Sequence, residues 1–389
     1  MNVIMYSETY GGPTTTFIRN TINALLDSNY KVLYICSELI QGNKIDHQNF
    51  ELVVIRKKTT LMQRIIYKLY GHEYSKFYLK NNYLSKEYNS LIEQFKPDII
   101  HCQFFNEALW LLENIEISTQ KIICQFHGYD ASKLLRIKQY LHFLVKYSQF
   151  ENLIFFFVSN SLKKNIEINI NKQVRNGRIL NCGIDTNFFN RSIGTKYNRI
   201  KSFDTINFLQ ISSLTEKKGH EYTLKALAIF KKKFPKKKIK YTICGDGPLR
   251  QTIMHQINQL FLTEEVELIG KITPLQAKEY LLKSEVFLHH SVTSGEGDQE
   301  GIPTAIMEAM AMGIPIISTY HSGLPELVSN NKNGILVEER NIDEYVTALE
   351  KILEFNSFIP ESVEKIKKSF SLVRHKSDLN NFYEQFTKQ

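Results

Sequence analysis

What most constrains this chain is a recurring pattern of short, wholly apolar runs separated by longer amphipathic stretches. In the first half the runs are NVIMY, KVLYIC, DIIHC, KIICQF and LIFFFVS; in the second they are TINFLQIS, KYTICG, EVELIG, EVFLHH and IPIIST. They are rich in β-branched and aromatic residues and lack polar alternation. Each strand must therefore bury both faces, as strands of a helix-covered parallel sheet do. Helical periodicity fills the intervals at 14–27, 131–149, 219–233 and 341–355. The series runs twice and breaks near 186–204, a polar and aperiodic stretch. The fold expected is α/β, with two doubly wound Rossmann-like domains spanning 1–190 and 204–370. Ligands of such sheets bind beyond the carboxyl ends of the strands, which puts the expected site in a cleft that the two domains face across.

The 389 residues suffice for two such cores. With 43% hydrophobic and 23% charged residues, the chain has the balance of a soluble globular protein. Its most apolar run, LIFFFV, has the length of a buried strand rather than of a membrane span. MNVIMYSETYGG has neither the charged start nor the long apolar core of a signal peptide, so a cytoplasmic location is expected. Cys36, Cys102, Cys124, Cys182 and Cys244 are dispersed without metal-ligand spacing and read as reduced thiols, mostly at strand ends. The net charge of +9 admits nucleic acid, an anionic membrane surface or phosphorylated ligands. No recognised nucleic-acid module accompanies it, so nucleic acid is not an expected partner. Two basic segments bear on the membrane. KKKFPKKKIK at 231–240 is either a solvated loop or a lipid contact. In 61–95 lysines and tyrosines interleave, as in an interfacial helix or a helical hairpin packed on the first sheet.

Residues 297–315, GDQEGIPTAIMEAMAMGIP, look most like a ligand site. Pro303 suits the first position of a short helix, and Gly313 with Pro315 ends it. Ala305, Ile306, Met307, Ala309, Met310, Ala311 and Met312 leave almost no polar face, the pattern of a buried helix. Yet Glu308 sits in its middle, and a carboxylate there is costly unless donors or a ligand meet it. Glu300 lies just ahead, beside Gly301, where backbone can come close to a bound group.

Other candidates also follow strands. YGGPTTTF, with Gly11 and Gly12, and CGDGPLR, with Gly245, Asp246, Gly247 and Arg250, are glycine turns that open helices. Such turns suit phosphate and equally suit tight strand-to-helix packing, and neither has the glycine spacing of a dinucleotide site. Lys218, just before Gly219 at the start of a helix, can reach a diphosphate or lie solvated. His127, in QFHGYD, is a polar group facing the cleft or a structural histidine, with Asp130 as its orienting partner or a helix cap. His101 has weaker claims. His289 and His290 lack the spaced partners of a zinc site, and the chain has no Asp-x-Asp pair, so no metal is expected.

Taken together, these elements resemble one family. EGIPTAIME, from Glu300 to Glu308, is similar to the Glu-seven-residues-Glu motif of the family-four retaining glycosyltransferases. The other matches fall in order: Gly11–Gly12, HGYD, SNSLKKNI, NCGIDTNFF, EKKGH, GDGPLR and HSGLPELV, covering nearly the whole chain. SVTSGEGDQEGIPTAIMEAMAMGIPIISTYHSGLPELV resembles the colanic acid and amylovoran branch, enzymes of bacterial exopolysaccharide assembly.

The resemblance implies the GT-B fold, with a helix at about 371–389 packing back on the first domain. It also implies roles. Glu308 accepts hydrogen bonds from the ribose hydroxyls of a nucleotide sugar, and Glu300 holds hydroxyls of the transferred sugar. The backbone around Gly301, Ile302, Pro303 and Thr304 meets sugar or phosphates, while Gly12, Ser213 and the Gly245–Asp246–Gly247 turn complete the donor site. Lys218 stabilises the departing diphosphate, and His127 touches the sugar near the reacting carbon. The family retains anomeric configuration without a metal, so no cofactor is implied beyond the co-substrate. The implied acceptor is a lipid-linked glycan, and contact with anionic lipid at the inner membrane face follows from it. In one respect the chain departs from the family: Ser213 stands where an arginine is usual, five residues before the lysine. A hydroxyl does not supply that charge, and Arg250 is the candidate replacement. Two further readings stay open, a non-catalytic binding or assembly subunit and a sugar-nucleotide epimerase of like architecture.

Overall fold

The computed structural model describes residues 1–11, 16–40, 45–57, 62, 64–65, 68, 79–191, 205–352 and 358–388. Gly12 and much of the basic segment 61–95 lie outside the described residues. The chain divides into two compact units, Met1–Gly183 with Leu372–Gln389, and Ile184–Ser371.

In the first unit the strands are β1 (Asn2–Tyr6), β2 (Thr9–Tyr10), β3 (Lys31–Cys36), β4 (Glu38–Leu39), β5 (Phe50–Val54), β6 (Ile99–Gln103), β7 (Ile122–Phe126), β8 (Leu153–Phe157) and β9 (Gly177–Ile179). They form a seven-stranded sheet in the order β5-β3-β1-β6-β7-β8-β9, parallel throughout, and a two-stranded ribbon of β2 and β4. The second unit has β10 (Thr205–Ile211), β11 (Lys238–Cys244), β12 (Val266–Gly270), β13 (Val286–Leu288), β14 (Ile316–Thr319) and β15 (Ile335–Val337). Their order is β12-β11-β10-β13-β14-β15, again all parallel. Each sheet grows outward from its first strand and then returns to grow the other way. The strand order therefore reverses at β1/β6 and at β10/β13, the places where doubly wound sheets leave a crevice for ligands.

Every apolar run named from the sequence is a strand. In the two large sheets the strands without such a run, β5, β9 and β15, are all edges. An edge strand packs on one side only, so FELVV tolerates Glu51, and GRI and ILV need just three residues each. The helices begin and end where local chemistry dictates. Asn81 accepts hydrogen bonds from the amides of Tyr83 and Leu84 and so starts the helix Asn82–Phe95; Thr273 and Gln276 form a capping box on Pro274–Lys283. The expected helix over 131–149 is instead two 3-10 turns, Tyr129–Ala131 and Lys133–Arg136, followed by the helix Lys138–Tyr147. The buried Asp130 carboxylate draws amides of 127 and 128 to itself and turns the chain there.

The first core is closed from far along the sequence. Helix Leu372–Lys388 lays Leu379, Tyr383 and Phe386 against Ile18, Ile22 and Leu25 of helix Thr16–Leu26. Each such burial contributes roughly 2 kcal/mol. In the second unit Leu224, Leu227 and Phe230 pack with Phe208, Tyr241, Tyr345 and Leu349. All five cysteines are free and buried. Cys36 and Cys244 end strands, Cys102 and Cys124 are register neighbours within β6 and β7, and Cys182 follows β9. No helix among the described residues is long and apolar enough to cross a membrane.

Candidate functional site

In the second unit the loops after β10 and β13 emerge side by side at the reversal of strand order, and they are locked together backbone to backbone. Gly219 sits at φ 59°, and a Cβ there would lie 1.7 Å from the carbonyl oxygen of His290, so no other residue fits. The Val292 amide donates to the Lys217 carbonyl at 3.0 Å, and the Gly295 amide to the Glu216 carboxylate at 2.7 Å. Lys217 pairs with Asp298 at 3.0 Å. This zipper brings Lys218 Nζ to 2.7 Å from Glu300 Oε1, with the two side chains only 12% and 8% exposed. Burial pushes the Glu300 carboxyl up, but the neighbouring Lys218 and Lys217 ammonium groups outweigh it and hold it at about 2. Glu300 is thus a carboxylate at any physiological pH, and Lys218 its counter-ion.

A second device fixes the Glu300 backbone. Its amide donates to His321 Nε2 at 3.0 Å, so the ring proton resides on Nδ1, which meets Glu339 Oε1 at 2.6 Å. Glu339 also accepts from the Thr293 amide at 2.8 Å and pairs with Arg340 at 3.0 Å. Replacing His321 by phenylalanine fills the space but accepts nothing, and it should cost about 1–3 kcal/mol in urea unfolding. A loss below roughly 0.5 kcal/mol, the level of an ordinary surface change, would show that the dyad does not hold this loop.

Helix Thr304–Ala311 starts one residue later than the sequence suggests. Pro303 has extended geometry (φ −65°, ψ 121°) and is the N-cap, not the first helical residue, and no side chain caps this end. Gly313, at φ 67°, terminates the helix through Gly313-to-Met310 and Ile314-to-Ala309 hydrogen bonds. Gly301, Ile302 and Pro303 are buried, while Thr304 and Glu308 are half-buried. The Glu308 carboxylate has no hydrogen-bond or ion-pair partner among the described residues, and burial alone pushes it up to about 7. Its desolvation is uncompensated, as expected of a group that waits for donors.

The glycine turn after β11 owes its glycines to packing. At Gly245 (φ 144°) a Cβ would lie 1.8 Å from the Ser212 carbonyl oxygen, and at Gly247 one would lie 2.6 Å from that of Leu214. Asp246 accepts the Leu214 amide at its carbonyl and the Gly247 amide at its carboxylate. Among the described residues Ser213 Oγ meets only Thr215 Oγ1, at 3.3 Å. Arg250 opens helix Arg250–Gln259, and its buried Nη1 has no hydrogen-bond partner among the described residues. His289 is wholly buried with both ring nitrogens unpartnered among those residues. His290 instead accepts the Arg340 amide at 3.0 Å and packs on Tyr345 at 4.7 Å. Among the described residues no group of three His, Cys, Asp or Glu could hold a metal ion.

In the first unit His127 follows β7. Its ring lies between Phe17 and Phe104, with centroids at 4.2 and 4.6 Å, and its Nε2 meets Gln103 Oε1 at 2.8 Å. Gln103 passes the connection to His101 at 3.2 Å, and His101 to the Tyr383 hydroxyl at 2.8 Å. Burial pushes His127 down to about 3, so it is a neutral imidazole with Nε2 as donor. Asp130 does not touch the ring. It accepts the amides of His127 and Gly128, and its other oxygen accepts the Phe105 amide at 3.1 Å, capping helix Phe105–Leu112.

The sequence family described as glycosyl transferases group 1 matches residues 198–369. That match falls within the second unit, Ile184–Ser371. The chain is similar to the putative colanic acid biosynthesis glycosyltransferase WcaL of Escherichia coli K12, 41% identical over 136 residues, 35% of this chain and 33% of that protein. It is similar also to the amylovoran biosynthesis glycosyltransferase AmsK of Erwinia amylovora, 40% identical over 134 residues, 34% of this chain and 32% of that one. The chain thus aligns with about a third of the length of these relatives. The Anabaena protein HepE, solved in complex with UDP and glucose, matches 99% of both chains with TM-score 0.73 at 15% identity. The fold is accordingly GT-B, two Rossmann-like units.

Within the second unit the structure joins Lys218 to Glu300 and ties Ser213 and Gly245–Gly247 into the adjoining turns. Sequence reasoning gave no role to His321, Glu339 or Gln103. HSGLPELV is one of the matching segments, and a histidine two residues after the strand IPIIST is a usable signal. Glu339 and Gln103 carry none of their own.

Proposed function

We propose that this chain is a retaining glycosyltransferase that moves a hexose from a nucleotide-diphosphate sugar to a lipid-linked glycan in bacterial exopolysaccharide assembly. The observation that carries the reading is Glu308, an unpartnered carboxylate on an apolar helix that follows directly on the Lys218–Glu300 pair. Two ribose hydroxyls would supply the donors it lacks. The names of WcaL and AmsK, from colanic acid and amylovoran biosynthesis, support the exopolysaccharide assignment, and the UDP in HepE supports the class of donor.

In this reading Glu300, held ionised, accepts hydrogen bonds from the sugar hydroxyls. Lys218 shares its ammonium between Glu300 and the diphosphate, and Arg250, whose Nη1 has no hydrogen-bond partner among the described residues, replaces the charge that Ser213 lacks. Neutral His127 touches the sugar near the reacting carbon, as the resemblance implies. The bond from C1 to the phosphate oxygen breaks as the bond from C1 to the acceptor oxygen forms on the same face. The acceptor's proton passes to the departing phosphate oxygen, and Lys218 stabilises the remaining charge without a metal. The protein would work at the inner membrane face.

Ser213 favours a second reading, a subunit that binds nucleotide sugar without turnover. A nucleotide-release assay separates the two: the purified chain is offered a panel of UDP- and GDP-sugars, with and without membrane lipid extract. Release from one donor that depends on extract is the result expected. Saturable donor binding with no release in any combination would establish the binding subunit, and release without any acceptor would point to epimerase-type chemistry.

A further inference from the structure

On the second unit, helix His220–Lys233, the turn after helix Arg250–Gln259 and the start of helix Ile342–Ile352 enclose an open cavity of about 850 Å3. Its apolar lining includes Ile229, Pro235, Leu260 and Phe261, and Lys225, Lys231 and Lys232 stand around it. Phe261 is 84% exposed and Ile229 44%.

Nothing in the fold calls for a phenylalanine at 261. Its amide donates to Asn258 and that of Leu262 to Ile257, the two bonds of a Schellman helix end, and its φ is 54°. That position ordinarily takes glycine, since a side chain there meets steric resistance. The chain instead keeps a large ring in a disfavoured backbone conformation and turns it to solvent. Lys231 reinforces the turn, donating to the Phe261 carbonyl at 3.2 Å and pairing with Glu265 at 2.6 Å. Lys232 and Lys236, in the same lysine run, have no ion-pair partner among the described residues.

We propose that this face docks on an anionic lipid bilayer, with Phe261 and Ile229 entering the interfacial layer and Lys232 and Lys236 meeting lipid phosphates. A protruding ring beside unpaired lysines complements a surface that is apolar below and negative above. The inference concerns lipid binding and not turnover, so it stands or falls apart from the proposed activity.

Co-sedimentation of the full chain with phosphatidylglycerol-containing vesicles, against phosphatidylcholine alone, tests it. Binding should require the anionic lipid and weaken with salt. Phe261→Gly should reduce it about tenfold, while leaving the melting temperature unchanged or higher because the strained position is relieved. Lys232→Glu with Lys236→Glu should also reduce it at least about tenfold. Failure of the unaltered chain to bind anionic vesicles overturns the proposal and leaves an acidic protein as the occupant. Undiminished binding by both variants overturns it too, by placing the lipid contact elsewhere.

Discussion

Glu308→Gln is expected to stabilise the fold at pH 8 and to abolish nucleotide binding. The folded carboxyl titrates at about 7 because burial raises it from its ordinary 4.5. The folded state therefore holds this proton more tightly than the unfolded chain does. The contribution of Glu308 to stability is fully present below about 4.5 and is lost as pH rises through about 7. Glutamine keeps the shape and removes the charge, and with the group only half-buried the gain at pH 8 is about 1–2 kcal/mol. Nucleotide binding should move in the opposite direction, since the carboxylate offers two charged acceptor oxygens, whereas glutamine replaces one of them by an NH2 donor. Affinity of the unaltered protein should rise with pH to about 7 and then level, by up to about tenfold per unit. Calorimetric melting and nucleotide titration over that range read both. A variant that melts lower and still binds nucleotide would remove Glu308 from the site.

Lys218→Ala should be the most damaging single change in the second unit. It leaves Glu300 ionised and buried with only Lys217, itself paired with Asp298, as a nearby cation, at a cost of about 3 kcal/mol. Adding Glu300→Gln should return most of that stability, because the double variant has no stranded charge. Turnover should not return: losing the positive charge at the leaving group costs on the order of 100- to 1,000-fold. Urea unfolding and nucleotide release on the single and double variants give the comparison. If the second change restores no stability, the two side chains are not a coupled pair.

How much was legible follows from what local sequence can encode. A central strand of a parallel sheet must be apolar on both faces, so KVLYIC and LIFFFV declare themselves, whereas the edge strands β5, β9 and β15 face no such demand. Glu300 and Glu308 were visible because each breaks a local rule, a charge beside buried backbone and a charge in an apolar helix. The His321–Glu339 dyad was not visible, since its members follow separate strands and meet only because β14 and β15 are neighbours. Gln103 and His127 meet for the same reason across β6 and β7. The glycines of GDG suit a phosphate and tight packing equally in sequence, and in the structure a Cβ at Gly245 or Gly247 would meet the 212–214 loop of the protein itself.

The division of the chain bears on its manufacture. The second unit is one continuous stretch, Ile184–Ser371, while the first is assembled from Met1–Gly183 and Leu372–Gln389. A ribosome therefore delivers every residue of the later unit before the earlier one receives its closing helix. Until then the greasy face of Ile18, Ile22 and Leu25 stays uncovered on the nascent chain, the kind of surface that chaperones hold and that aggregates otherwise. In this protein the part made first is the part finished last.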